Sequence, residues 1–425
     1  MPPIRFIHAA DLHLDAAFSG LSRDIPADFA ERLRTATFTA FRRLLDLCER
    51  ESPDFLLLAG DVYNQEDASV SAQLALRDGF RRLESLSIPV FLVHGNHDPL
   101  ASRLRSVRWP GNVTVFGELP DAVPVFRKGE GTPLAIIHGA SHASGRETRN
   151  LAALFRRTEA CGLHVGLLHA TPGDADGVAR YAPFSQEDLK ASGMDYWALG
   201  HIHDCREVCR EPLAAYPGCT QGLHINEPGE KGCLLVTAEA RPDGGYAVRT
   251  SFRPLGPAVW KTLDMDLGGA ASLDELENRL RTGLDRAAAE VWSGCEMLLV
   301  RLRLQGRTEL DGLLRKGTTC AELADRLRED GSGVPRIWIK DIDVATRPCV
   351  ERGALLERED LLGEVFRLSE AARTASGLQA LREGPLAPLF AHARAGKALE
   401  PLTDEELARL LDDAESLCLD LLEND

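Results

Sequence analysis

FLLLAGDVYN, residues 55–64, is a continuous apolar run from Phe55 to Ala59 that stops at Gly60 and Asp61, and the same arrangement recurs along the chain. A short, uninterrupted apolar run reads as a strand buried on both faces, and a Gly-Asp pair at its end reads as the turn that leaves the sheet. Outward from this stretch, Ile4 to Ala10 precedes Asp11 and His13, and Val90 to His94 precedes Gly95, Asn96, His97 and Asp98. Leu134 to His138, Val165 to His169, and Trp197 to Gly200 before His201 and His203 follow the same rule. Phe29 to Glu51 and Val70 to Leu86 carry apolar residues at helical spacing, and Pro53 and Pro89 close each stretch before the next strand. The expected class is therefore α/β, with helices covering the sheet.

The pattern changes near residue 255, which predicts a first domain over 1–255. A strand-like WKTLDMDL from Trp260, an amphipathic helix from Ser272 to Trp292, strands through Met297 to Leu304 and Arg336 to Val344, and a short helix near Cys320 to Arg328 make a small α/β cap over 256–348. From Leu355 the pattern is helical only, a C-terminal region over 349–425. There Thr403 and Glu406 have capping-box spacing ahead of Leu407, Leu410, Leu411, Ala414, Leu417 and Leu421.

A chain of 425 residues, 44% hydrophobic, can bury a large core in two or three domains. Its net charge of −16 counts against a general polyanion-binding surface. Residues 350–425, however, hold 17 acidic and 8 basic side chains, so −9 of that charge sits in the tail. Ten cysteines without CxxC pairing are too sparse for a disulfide framework or a zinc site, and they read as small buried hydrophobes. Cys205, Cys209, Cys219 and Cys233 cluster beside the last histidine motif, where a redox or further metal role is the alternative. No apolar run near the N-terminus suits a signal peptide, and none approaches the ~18 residues of a membrane span. A cytoplasmic location, with no membrane association, is the expectation.

Each polar motif follows a strand, at the carboxyl edge where ligands of open α/β sheets bind. A Gly-Asp after a strand is ordinarily a turn and a lone His a satisfied polar residue, but five such motifs in order make a set. Asp11, His13, Asp61, Asn96, His169, His201 and His203 are oxygen and imidazole donors without thiolate, which suits manganese, iron or zinc rather than copper. An Asp between two sets of donors can serve two ions. Two divalent cations, two carboxylates and neutral imidazoles leave a net positive charge of roughly +2 for a phosphate, and such a pair lowers the pKa of a water enough to make it a nucleophile. His97, beside the better placed ligand Asn96, is left to face substrate as general acid or charge stabiliser, with Asp98 either its orienter or a structural residue of that turn.

The order DxH, GD, GNHD, H and GHIH resembles the calcineurin-like metallophosphoesterase superfamily, and this implies a β-sandwich flanked by helices. FIHAADLHLDAAFSGL, YPGCTQGLHINEPGEKG at 216–232 and LQGRTEL at 304–310 are similar to the YhaO-like branch of the SbcD and eukaryotic double-strand-break repair nucleases, over most of residues 1–345. The resemblance implies Asp11, His13, Asp61 and His203 on one ion, and Asp61, Asn96, His169 and His201 on the other. It further implies manganese as the metal, exonuclease or endonuclease cleavage of DNA, an SMC-like coiled-coil ATPase of the SbcC type docked on the C-terminal helices, and a homodimer.

Two features depart from that pattern. Where PGN and then QGRH are expected, the chain has Pro217-Gly218-Cys219 and Gln221-Gly222-Leu223-His224, without the arginine. His138 and His142 also compete with His169, which is preferred for its spacing from GHIH. The same centre serves small-molecule and cyclic-nucleotide phosphodiesterases, the chief rival reading. A non-catalytic scaffold for an ATPase is a third, opposed by the complete donor set.

Overall fold

The apolar runs become strands with both faces covered. In the computed structural model, residues 2–21, 25–64, 69–102, 107–173, 180–242, 244–329, 333–349, 352–391 and 402–422 are described. The strands in chain order are β1 (Ile4–Ala9), β2 (Phe55–Ala59), β3 (Val90–Val93), β4 (Val113–Val115), β5 (Asp121–Val125), β6 (Ala135–Ala140), β7 (Leu163–His169) and β8 (Tyr196–Gly200). They continue with β9 (Arg206–Arg210), β10 (Leu213–Tyr216), β11 (Gly232–Ala240) and β12 (Tyr246–Pro254). One six-stranded sheet has the order β12-β11-β1-β2-β3-β4 and a second the order β5-β6-β7-β8-β10-β9. β1 to β4 are parallel, as are β6 to β8, whereas β11 runs antiparallel to β1.

Residues alternate between faces with a period of two, which divides the core. Phe6, Phe55, Leu57 and Phe91 pack with Ile137, Val165, Leu167 and Tyr196 of the second sheet. Their neighbours Ile7, Leu56, Leu58 and Leu92 face the other way, against Phe41, Leu44, Leu76 and Phe80. Those last four lie on helices α2 (Ala36–Glu51) and α3 (Val70–Ser85), which follow α1 (Ala27–Arg34). The second sheet's outer face, with Trp197 and Leu199, is covered by Phe155 and by Leu189 of α4 (Gln186–Ala191). A strand buried this way needs no polar positions, hence the uninterrupted apolar runs.

The helix expected over Phe29 to Glu51 is two helices, broken at Thr35 with φ −98° and ψ 3°. The break serves two cores: Phe29 and Leu33 pack on Trp260, Met297 and Trp338, while α2 packs on the first sheet. Trp260, Met297 and Trp338 belong to a three-stranded sheet of order β13-β14-β15, formed by β13 (Ala258–Asp266), β14 (Met297–Thr308) and β15 (Arg336–Pro348). β13 and β14 are parallel and are joined through α5 (Leu273–Glu290), the long crossover that a parallel pair requires. Helices α6 (Asp311–Leu314) and α7 (Thr319–Glu329) precede β15.

The chain divides into two compact units, residues 1–306 with 312–346, and residues 307–311 with 347–425. The second unit holds α8 (Arg352–Leu356), α9 (Leu361–Ala372), α10 (Ala375–Glu383), α11 (Ala387–Ala391) and α12 (Asp404–Leu422) among its described residues. Leu355, Leu362, Phe366 and Leu419 form its core. The expected capping box is present: Glu406 N donates to Thr403 Oγ1 at 3.2 Å, and Thr403 N donates to Glu406 Oε2 at 2.7 Å. Of the apolar stripe on α12, Leu407 is buried while Leu410, Leu417 and Leu421 are exposed. Among the described residues no helix is long and apolar enough to cross a membrane.

Candidate metal centre

Because β1, β2 and β3 are parallel in one sheet and β7 and β8 in the other, their carboxyl ends bring five loops to one place. Four residues there lie in the left-handed region despite carrying side chains: Asp11 (φ 50°), His13 (41°), Asp61 (48°) and His201 (105°). Each such residue costs roughly 1–2 kcal/mol and persists only where its surroundings hold it. The surroundings do: Asp11 N donates to Gly60 O and His13 N to Asp61 O, both at 3.1 Å, and His201 N donates to Asp11 Oδ2 at 3.0 Å. Gly95 is required by close approach, since a Cβ there would meet Asp61 Oδ1 and lie 2.9 Å from His169 Cδ2.

His169 donates from Nδ1 to Ala59 O at 2.9 Å, which turns the lone pair of its Nε2 inward. That nitrogen is 3.0 Å from Asn96 Oδ1 and 3.4 Å from Asp61 Oδ2. An imidazole lone pair, an amide carbonyl and a carboxyl group thus converge, an arrangement that a cation satisfies. The other side repeats it. His203 Nδ1 is held by Glu227 Oε1 at 2.5 Å, so its Nε2 faces His13 Nε2 at 3.2 Å and Asp11 Oδ1 at 3.7 Å. Asp11 Oδ1 is buried with no hydrogen-bond partner among the described residues. Donor atoms of Asp11, His13 and His203 lie within 4.8 Å of one another, as do those of Asp11, Asp61 and His169. The residues fit a pair of cations, and the two groups share Asp11.

Burial sets the protonation of this cluster. It pushes Asp11 up to about 7 and Asp61 well above the carboxylate range, the latter helped by the charges of Asp98 and Asp11. It drives His13 and His169 well below the usual imidazole value, with neighbouring histidines adding to the effect. Neutral imidazoles are the form that ligates, and a divalent cation reverses the penalty on the carboxylates. On His203 burial acts downward too, but the hydrogen bond to Glu227 and the charge of Asp11 outweigh it and raise this residue.

His97 is exposed, its Nδ1 is 2.8 Å from Asn64 O, and its backbone N–H donates to Asp61 Oδ1 at 3.0 Å. Of the two roles open to Asp98, its bonds favour the structural one over orienting His97. The fully buried Asp98 carboxylate accepts from Gly95 N at 2.8 Å and from Val62 N at 3.0 Å, tying the GNHD turn to the GDV turn. The reason is local: the turn directs His97 outward and Asp98 inward, so the two side chains part. His138 is not at the centre, since its Nε2 pairs with His164 Nδ1 at 3.0 Å inside the second sheet. His142 stands behind it, with Nε2 2.6 Å from the His169 carbonyl. All ten cysteines are free thiols; Cys209, Cys219 and Cys233 are buried and Cys205 is exposed.

Sequence reasoning missed Glu227 and Lys231. Lys231 Nζ donates to His203 O at 3.0 Å and to Asp204 Oδ1 at 2.8 Å. Both lie inside the 216–232 stretch that carried the resemblance, which was the available signal. Leu223, in place of the expected arginine, contributes backbone: its N–H donates to Glu227 Oε2 at 2.7 Å.

Residues 4–205 match the calcineurin-like phosphoesterase family, and residues 260–347 match the middle domain of metallophosphoesterase YhaO. The chain is 34% identical over 388 residues to the uncharacterised metallophosphoesterase YhaO of Bacillus subtilis, across 90% of this chain and 91% of that one. This chain belongs to the YhaO metallophosphoesterases. Membership marks it as a hydrolase that uses divalent metal ions. This YhaO-family chain is also 27% identical over 319 residues to the DNA double-strand break repair protein Mre11 of Aeropyrum pernix, across 68% of this chain and 69% of that protein. Among solved structures, a dimetal phosphatase from Danio rerio aligns at a TM-score of 0.34 and 12% identity, over 59% of this chain and 99% of that one.

Proposed function

We propose that this YhaO-family chain is a manganese-dependent phosphodiesterase acting on DNA. Asp11, His13, Asp61 and His203 hold one cation, and Asp61, Asn96, His169 and His201 hold the other. The observation that carries this reading is the convergence of side chains on His169 Nε2, which lies 3.0 Å from Asn96 Oδ1 and 3.4 Å from Asp61 Oδ2. Two divalent cations, when bound, supply the charge that takes up a phosphodiester and the acidity that makes water a nucleophile near neutral pH.

The chain's own groups do the rest. His97, with Nδ1–H donating to Asn64 O, presents Nε2 outward, where its protonated form delivers a proton to the leaving oxygen or a hydrogen bond to the charge developing on phosphate. Asp98 holds the two turns that carry Asp61 and Asn96 in register, a positioning rather than a catalytic part. DNA as substrate is supported by the similarity to a break-repair protein over two thirds of the chain. We keep the division into 1–255, 256–348 and 349–425, and assign the exposed leucines of α12 to an SMC-like ATPase partner and the protein to a homodimer in the cytoplasm. The net charge of −16 favours the rival, a small-molecule phosphodiesterase with the same centre.

Nuclease assays on single- and double-stranded DNA with manganese, magnesium or chelator, beside bis-para-nitrophenyl phosphate, separate the two. DNA cleavage that needs manganese and vanishes in Asp61→Ala is the expected result. Hydrolysis of the small diester alone moves the substrate to a small ester.

A further inference from the structure

Glu227 is 7% exposed and all of its polar capacity is directed at one neighbourhood. Its Oε1 is 2.5 Å from His203 Nδ1 and 3.2 Å from His224 Nε2, and its Oε2 accepts from Leu223 N at 2.7 Å. A carboxylate on one imidazole nitrogen fixes the tautomer and the ring plane, and thereby the direction of the lone pair on the other nitrogen. Here that lone pair points at His13 Nε2 and Asp11 Oδ1.

The segment bearing Glu227 is anchored on the three-stranded sheet. Gln221 Nε2 donates to Ala258 O at 2.8 Å and Ala258 N donates to Gln221 Oε1 at 3.1 Å, so the buried amide pairs with β13 as a neighbouring strand would. Trp260 Nε1 donates to Gly222 O at 3.1 Å, and Gly229 N to Trp260 O at 2.9 Å. His203 arrives from the other direction, on the loop after β8. Glu227 is a side chain through which these two parts of the chain meet.

We propose that Glu227 is the positioning residue that sets His203 for one of the two cations, held in place by the anchoring of residues 221–229 on β13. The inference rests on the two-cation reading above, and it singles out one ion, because Glu227 touches His203 and neither His169 nor Asn96.

Manganese titrations of the full chain, followed by calorimetry and by the electron paramagnetic resonance of the free ion, test both levels. Wild type is expected to bind two ions and Asp61→Ala to lose both. Glu227→Ala is expected to bind one ion as wild type does and the other about 10- to 100-fold more weakly. Its hydrolysis of a phosphodiester then needs correspondingly more manganese, while kcat recovers at saturation. Glu227→Gln, which keeps an acceptor for Nδ1–H, rescues most of the loss and carries the comparison if Glu227→Ala does not fold. In a His203→Ala background the Glu227 change adds nothing. Two ions bound by wild type and by both Glu227 variants with equal affinities overturn the assignment of Glu227 alone. No ion bound by wild type overturns the two-cation reading, and this inference with it.

Discussion

Asp98→Asn tests whether this carboxylate builds the centre or performs chemistry in it. Both oxygens are committed: Oδ1 accepts from Gly95 N at 2.8 Å and Oδ2 from Val62 N at 3.0 Å, with the side chain fully buried. The amide is isosteric but has one oxygen, so its NH2 must oppose one of these two N–H groups. Losing a charge-assisted bond costs about 1.5–3 kcal/mol, and the buried donor left over costs ~1–3 kcal/mol more. Against this, the Asp98 charge raises both Asp61 and Asp11, and its removal relieves that repulsion. The net is a destabilisation of about 2 kcal/mol, read as a fall of several degrees in the melting temperature of the metal-free protein. Because the two turns carry Asp61 and Asn96, manganese affinity falls as well. Unchanged melting and manganese affinity together with a collapse in kcat would refute the reasoning and return Asp98 to the chemistry.

His97→Ala should lower kcat by about 10²–10⁴ while manganese binding stays within twofold of wild type, since the ring is exposed and leans on Asn64 rather than on the donor set; a weaker metal site in titration would make His97 a ligand instead. Gly95→Ala drives a methyl group into Asp61 Oδ1 and against His169, so manganese binding is lost and stability drops by about 1–3 kcal/mol, whereas retention of both would mean that the turn can yield. His8 is fully buried, bonded to Tyr196 Oη at 2.9 Å and to Leu199 O at 3.1 Å, and burial pulls it down to about 3. Above pH 6.5 both folded and unfolded chains keep it neutral; as pH falls toward 3 the unfolded chain alone takes the proton, so stability is lost over that window. Urea unfolding in chelator at pH 7 and pH 5 should show wild type losing about 2 kcal/mol more than His8→Gln, and equal losses would remove His8 as the cause.

Local sequence carried much of the plan. An uninterrupted apolar run is possible only where both faces are covered, so Phe55 to Ala59 announced a sandwiched strand. A polar motif at the end of such a run has to emerge at a sheet edge, and this made the cluster of Asp11, Asp61, His169 and His203 legible as a set. Strand β12 was missed because it is half exposed, with charged residues such as Arg249 and Arg253 diluting its pattern. Thr35 breaks a helix whose periodicity continues through it, because the demand comes from two separate cores.

What the tertiary structure alone decided is which of several equivalent residues meet. His138 and His169 both end buried runs, but β6 leaves His138 facing His164 within its own sheet, while β7 carries His169 to the edge. Asp98 and His97 are adjacent in sequence and diverge because consecutive side chains at a tight turn point to opposite sides. Glu227 bears no motif of its own and acquires its place through backbone pairing with β13, dozens of residues away. Spacing along a chain reports neighbours within an element, whereas contacts between loops depend on strand order, register and turn direction, which no local pattern encodes.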